Sequence, residues 1–173
     1  MKETIGTVLF QGNPLTLLGD EAVVGKKAPD FVALDNGLAP VGLSAFKGKV
    51  VVISSVPSLD TPICDMQTRR FNQEAAGLGD DVVILTLSMD LPFAQARWCG
   101  AAGVTAVKTL SDHRDASFGL AYGLLIKELR LLARAVLVID REGVIRYRQT
   151  VKEMTTEPDY DDALKAIRQV AGA

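Results

Sequence analysis

Apolar and polar positions along this chain change their rhythm several times, and each change marks an element. Residues 4–18 hold two apolar runs on either side of Gln11-Gly12-Asn13-Pro14, which predicts a β-hairpin. Residues 26–48 are broken by Pro29, Gly37, Pro40, Gly42 and Gly48 and read as loop. The run 50–56 is largely β-branched, interrupted by Ser54 and Ser55, and suits a strand buried on both faces. A helix is predicted over 62–76, stopped by Gly77 and Gly79. Residues 81–87 repeat the buried-strand pattern through Val82-Val83-Ile84-Leu85. A second helix is predicted over 92–99, closing at Gly100 and Gly103, then a short strand at 106–110 and a short helix at 115–122 before Gly123.

The pattern then changes. Strands are predicted at 135–139 and 144–151, joined by Asp140-Arg141-Glu142-Gly143, with the glycine supplying the positive-φ position of a hairpin turn. The last stretch, 159–170, is an amphipathic helix whose apolar face is Ala163, Leu164, Ile167 and Val170. Asp159, Asp161 and Asp162 sit in its first turn, where the helix dipole favours negative charge. The order is a hairpin, then β-α-β-α-β with short crossovers, then a β-hairpin and a closing helix. Crossovers imply parallel strands and the hairpin adds antiparallel ones. The expected fold is therefore α/β: a mixed central sheet with helices on both faces and an N-terminal β-hairpin, the thioredoxin-like layout. Sites in such sheets gather beyond the carboxyl ends of the parallel strands. Cys64 follows the first buried strand and falls there.

Composition narrows the chemistry. At 173 residues, 48% hydrophobic and 23% charged, residues 1–173 are expected to form a single globular domain. The net charge of −2, spread along the chain, argues against a nucleic-acid or polybasic membrane surface. The start lacks the long apolar region of a secretory signal, and no apolar run approaches a membrane span, so a cytoplasmic location is expected. Two cysteines and one histidine fall short of a four-ligand structural zinc site, and neither metal nor cofactor is expected.

The segment Pro57-Ser58-Leu59-Asp60-Thr61-Pro62-Ile63-Cys64 carries the chemistry. Thr61 suits a helix N-cap and Pro62 the first helical position, where a missing N–H costs nothing. Cys64 then lies in the first turn, among unpaired N–H groups and the positive end of the dipole. That setting favours the thiolate, which is the nucleophile. Taken singly, Thr61 is accounted for as a cap and Pro57 as a strand-ending turn. Arg134 could be an ordinary strand-edge residue and Cys99 an ordinary core thiol. Position alone does not decide these cases.

Pro57-x3-Thr61-x2-Cys64 resembles the peroxiredoxin signature. The match extends to a narrower group, the thiol peroxidases or atypical two-cysteine peroxiredoxins. It covers Gly12-Asn13-Pro14, residues 57–65, Leu91-Pro92-Phe93-Ala94-Gln95, Arg97-Trp98-Cys99, Ala133-Arg134-Ala135-Val136 and Thr155-Thr156-Glu157-Pro158-Asp159-Tyr160, in order over almost the whole chain. The resemblance implies that Cys64 reduces a hydroperoxide and becomes a sulfenic acid. It implies further that Thr61 orients sulfur and peroxide, Arg134 holds the thiolate and polarises the O–O bond, and Pro57 shields the pocket. Cys99 is implied to resolve the sulfenic acid as an intramolecular disulfide, with thioredoxin as reductant, organic peroxides preferred, and a homodimer packed near the site. Two departures stand out: Trp98 and His113 occupy positions where the family usually has Phe.

Two other readings follow from the same residues. A cysteine hydrolase would pair Cys64 with His113 and an orienting carboxylate. A thioredoxin-like interaction module would carry two unreactive thiols.

Overall fold

The computed structural model describes residues 1–172. The chain opens with the predicted hairpin, β1 (Glu3–Phe10) and β2 (Asn13–Leu18). Its two-residue turn places Gln11 and Gly12 at φ of 50° and 80°, the positive-φ pair that matches strand twist. The hairpin leaves at Gly19, where an added Cβ would lie 2.0 Å from the Leu120 carbonyl oxygen. Only glycine allows that approach.

The stretch expected to be loop holds more order than that. It forms β3 (Val32–Leu34), β4 (Pro40–Gly42) and a 3-10 turn at Leu43–Phe46. Three-residue strands are too short to show a period. Their turn is built by Asp35, whose carboxylate accepts the N–H groups of Gly37 and Ala39 at 2.8 and 2.9 Å.

The central unit follows the expected order. It comprises β5 (Val50–Ser55), α1 (Pro62–Ala75), β6 (Val82–Ser88), α2 (Pro92–Ala102), β7 (Lys108–Ser111) and α3 (Ser117–Tyr122). A two-residue strand that sequence did not reveal, β8 (Leu125–Ile126), pairs with β2. The hairpin β9 (Ala135–Ile139) and β10 (Ile145–Thr150) and the helix α4 (Tyr160–Ala171) complete the chain. The one displaced boundary with consequences is in α2. The helix runs through Gly100 and stops only at Gly103, which takes the left-handed conformation at φ 65°. A glycine weakens a helix interior by up to about 1 kcal/mol but does not end it, whereas the left-handed cap does.

The main sheet has the order β10-β9-β5-β6-β7-β3-β4. Strands β5, β6 and β7 are parallel, and β9 is antiparallel to β5. Successive residues of β5 serve opposite cores. Val50 and Val52 pack with Phe71 of α1 and with Ala163, Leu164 and Ile167 of α4. Val51 and Ile53 pack with Phe118 and Tyr122 of α3 and with Val8, Leu15 and Leu17 of the first hairpin. The continuous apolar run is thus a strand covered on both sides. Among the described residues no helix is long and apolar enough to cross a membrane.

Candidate active site

The parallel strand β5 ends at Ser55, and the chain turns through residues 56–61 into α1. That turn is held by Asp90 at the end of β6. Its carboxylate accepts the Ser58 hydroxyl at 2.7 Å and the Leu59 N–H at 2.8 Å. Pro62 stands in the first turn of α1, and the Asp65 N–H closes that turn on the Thr61 carbonyl at 3.0 Å. Ile63 and Cys64 keep N–H groups with no acceptor among the described residues, as the start of a helix requires. Thr61 has the extended backbone of an N-cap, but its side chain does not cap. The hydroxyl donates instead to the Ser58 carbonyl at 2.8 Å. Its oxygen therefore retains accepting lone pairs at the exposed lip of the turn.

Cys64 is fully buried, in a small apolar cluster with Val56 and Leu59, and Trp98 packs against it. Pro57 is buried beside this cluster in the same turn. Antiparallel pairing brings the next partner. Ser55, the last residue of β5, lies opposite Ala135, the first of β9. Arg134 therefore arrives at the carboxyl end of β5, where the turn to Cys64 begins. Its guanidinium nitrogens stand 3.5 and 3.6 Å from the Cys64 sulfur.

Arg134 is 2% exposed. It donates to the Gln67 side-chain oxygen at 2.9 Å and to the Met154 carbonyl at 2.8 Å. Gln67 is itself fixed by donating to the Ser54 hydroxyl at 2.8 Å. These acceptors are neutral, and among the described residues no carboxylate pairs with Arg134. A buried cation is costly unless an anion compensates it. The cysteine sulfur, in contact with it, can supply that anion. The arrangement favours negative charge on sulfur and, beyond it, on an oxygen leaving from sulfur.

Gln67 and the Met154 carbonyl escaped the sequence reading. A signal for Gln67 exists: it is a polar residue on the buried stripe of α1, with Cys64, Thr68 and Phe71. A backbone carbonyl leaves no such trace.

The remaining candidates lie apart. Cys99 is half-buried on α2, and its sulfur faces the Thr109 hydroxyl at 3.4 Å, away from Cys64; both cysteines are free thiols. His113 pairs its Nδ1 with the Ser111 hydroxyl at 2.9 Å, so the hydrolase dyad with Cys64 is not formed. A groove of about 350 Å³ runs past the shoulder of the site, lined by Leu59, Thr61, Pro62, Asp65, Arg69 and Trp98 among others.

Comparison with known proteins agrees with this geometry. The Redoxin family model matches residues 23–164. The thiol peroxidase of Halalkalibacterium halodurans is 57% identical over 164 residues, covering 95% of this chain and 98% of that one. The thiol peroxidase of Bacillus subtilis is 56% identical over 161 residues, covering 93% and 96%. A crystal structure of a peroxiredoxin-like protein from Aquifex aeolicus superimposes with a TM-score of 0.89 at 40% identity, covering 98% and 99%. With a buried arginine facing a cysteine at a helix start on a thioredoxin-like sheet, and with these relatives, the chain belongs to the thiol peroxidases of the Redoxin family.

Proposed function

We propose that residues 1–173 act as a single domain that reduces hydroperoxides by a two-cysteine cycle. The Cys64 thiolate attacks the terminal peroxide oxygen. An S–O bond forms as the O–O bond breaks, and the electron pair leaves on the distal oxygen, which is protonated to an alcohol or water. Arg134 faces the charge that moves from sulfur to oxygen, so it stabilises the transition state more than the ground state. Thr61, whose proton is committed to Ser58, accepts the peroxide O–H and orients it. Pro57 keeps water from the sulfur. A small displacement of the turn at 57–61 admits the substrate, because the sulfur is closed off at rest.

Cys99 then attacks the sulfenic sulfur of Cys64. The S–S bond forms as S–O breaks, and hydroxide leaves with the thiol proton as water. A dithiol reductant, thioredoxin, reopens the disulfide. Apolar neighbours of the turn, Leu59, Ile63, Leu91 and Phe93, favour organic peroxides, and the reaction is assigned to the cytoplasm. The observation that carries this reading is the buried Arg134 guanidinium against the Cys64 sulfur, with no carboxylate to share it among the described residues.

The test is peroxide consumption with thioredoxin and its reductase in two variants. Cys64→Ser should abolish turnover, because a serine hydroxyl is not ionised at neutral pH. Cys99→Ser should consume one equivalent and then stall as sulfenic acid or proceed to sulfinic acid. Normal thioredoxin-driven turnover by Cys99→Ser would refute the intramolecular disulfide.

A further inference from the structure

Trp98 and Cys99 are neighbours on α2, so their side chains leave the helix about 100° apart. Trp98 faces α1, where it packs on the Cys64 cluster and its indole N–H donates to the Asp65 carboxylate at 2.9 Å. The other oxygen of Asp65 accepts from Arg69 at 2.8 Å. The Arg69 guanidinium lies 5.7 Å from the Trp98 ring centroid and also donates to the Ala102 carbonyl in the last turn of α2. Asp65, Trp98 and Arg69 thus tie α1 to α2 immediately beside Cys64.

Cys99 is fastened on another side of the same helix. The Thr109 hydroxyl donates to the Asn36 side-chain oxygen at 2.9 Å, so its remaining capacity toward Cys99 is as an acceptor. That bond suits a Cys99 thiol and not a thiolate. To meet Cys64, Cys99 must leave Thr109 and enter the side of α2 that Trp98 fills. The two side chains cannot both be there.

We infer that Trp98 and Asp65 are positioning residues, and that the hydrogen bond between them is a latch setting how fast Cys99 closes on the Cys64 sulfenic acid. This rests on the two-cysteine cycle proposed above. While the latch is shut the sulfenic acid persists, and a second peroxide can carry it to sulfinic acid. When Trp98 swings out, the disulfide forms and over-oxidation stops.

Trp98→Phe keeps an aromatic ring against Cys64 but removes the donor; Asp65→Ala removes the acceptor. Reduced protein would be mixed with cumene hydroperoxide, quenched by acid at intervals, alkylated, and read by mass spectrometry as thiol, sulfenic acid, disulfide and sulfinic acid. Loss of a partly exposed hydrogen bond of ordinary strength should make disulfide closure about fivefold faster in Trp98→Phe, and lower the ratio of sulfinic acid to disulfide by a similar factor. Asp65→Ala should do the same, and the double variant should add nothing further. In the wild type, emission of the single tryptophan should shift to the red as the disulfide forms, because the indole enters water. Closure in Trp98→Phe at the wild-type rate or slower overturns the latch, as does disulfide formation with unmoved emission. Absence of the disulfide in the wild type overturns both the latch and the two-cysteine cycle, which separates that failure from the first.

Discussion

Arg134 is a positive charge enclosed by protein, with neutral oxygens on Gln67 and Met154 and a sulfur for company. Its energetic position depends on the ionisation of that sulfur. Arg134→Met removes a buried charge and fills comparable space, but it leaves the Gln67 oxygen and the Met154 carbonyl without their donor, so stability should fall by about 1–3 kcal/mol while the fold is kept. Oxidation should suffer. Loss of one donor at a developing oxyanion lowers rates by about 10²–10³, and a similar fall is expected in the rate constant for Cys64 oxidation by stopped flow. Collapse of the fold together with activity would make Arg134 a structural residue. Pro57, Thr61 and Cys64 were legible because they lie within eight consecutive residues of characteristic spacing. Arg134 came from the resemblance to a family, and only the antiparallel register of β9 on β5 shows why it reaches the sulfur. Thr61 does not cap with its side chain. Its backbone is that of a cap, but a carbonyl three residues earlier attracts the hydroxyl.

At the scale of elements, α3 shows how a buried carboxylate fixes a short helix that propensity alone would not support. Asp112 is 2% exposed, and it accepts the N–H groups of Phe118 at 3.0 Å and Gly119 at 2.8 Å. Burial pushes its carboxyl up to about 6, against these two bonds that favour the charged form. The folded state therefore holds the proton more tightly than the unfolded chain. Its contribution to stability is complete below pH 4 and is lost as pH rises through about 6. Asp112→Asn cannot titrate, and its amide nitrogen faces an N–H it cannot accept, so it should be less stable throughout. The gap between wild type and variant should narrow between pH 4 and pH 7, by at most about 3 kcal/mol, in urea titrations at several pH values. A constant gap would show that Asp112 has the same proton affinity folded and unfolded. Long elements were readable because many residues report one period: β5, β6, α1 and α4 match their expected spans within one or two residues. The elements missed, β3, β4 and β8, are two or three residues long, too short to show a period; β3 and β4 pair with each other across a local turn, while β3 also reaches β7 and β8 reaches β2, partners distant in sequence. The extension of α2 past Gly100 matters more, because it places Cys99 within the last turn of the helix and not at its final residue.

For the molecule as a whole, the sheet and the two helices beside the site should respond differently to oxidation. Strands β5 and β6 are paired on both sides and their apolar residues feed two cores. Nothing in the reaction asks them to move. Helices α1 and α2 meet through the Asp65, Arg69 and Trp98 contacts and carry the two sulfurs on divergent faces. A disulfide needs Cα atoms within about 7 Å, while packed helices keep their axes roughly 8–10 Å apart. In the proposed cycle, closing the bond would therefore unwind backbone, and the weak places are the first turn of α1 and the Cys99–Gly103 end of α2. Gly100 in that helix interior lowers the cost of opening. Hydrogen exchange should quicken on oxidation in residues 61–69 and 94–103, while residues 50–56 and 82–87 keep their protection. The first outcome needs the disulfide, so Cys99→Ser treated with one equivalent of peroxide should leave 94–103 as slow as in the reduced protein. Faster exchange throughout the sheet would mean that oxidation loosens the entire fold. Unchanged exchange at both helices, with the disulfide present, would mean that the bond closes without unwinding either helix.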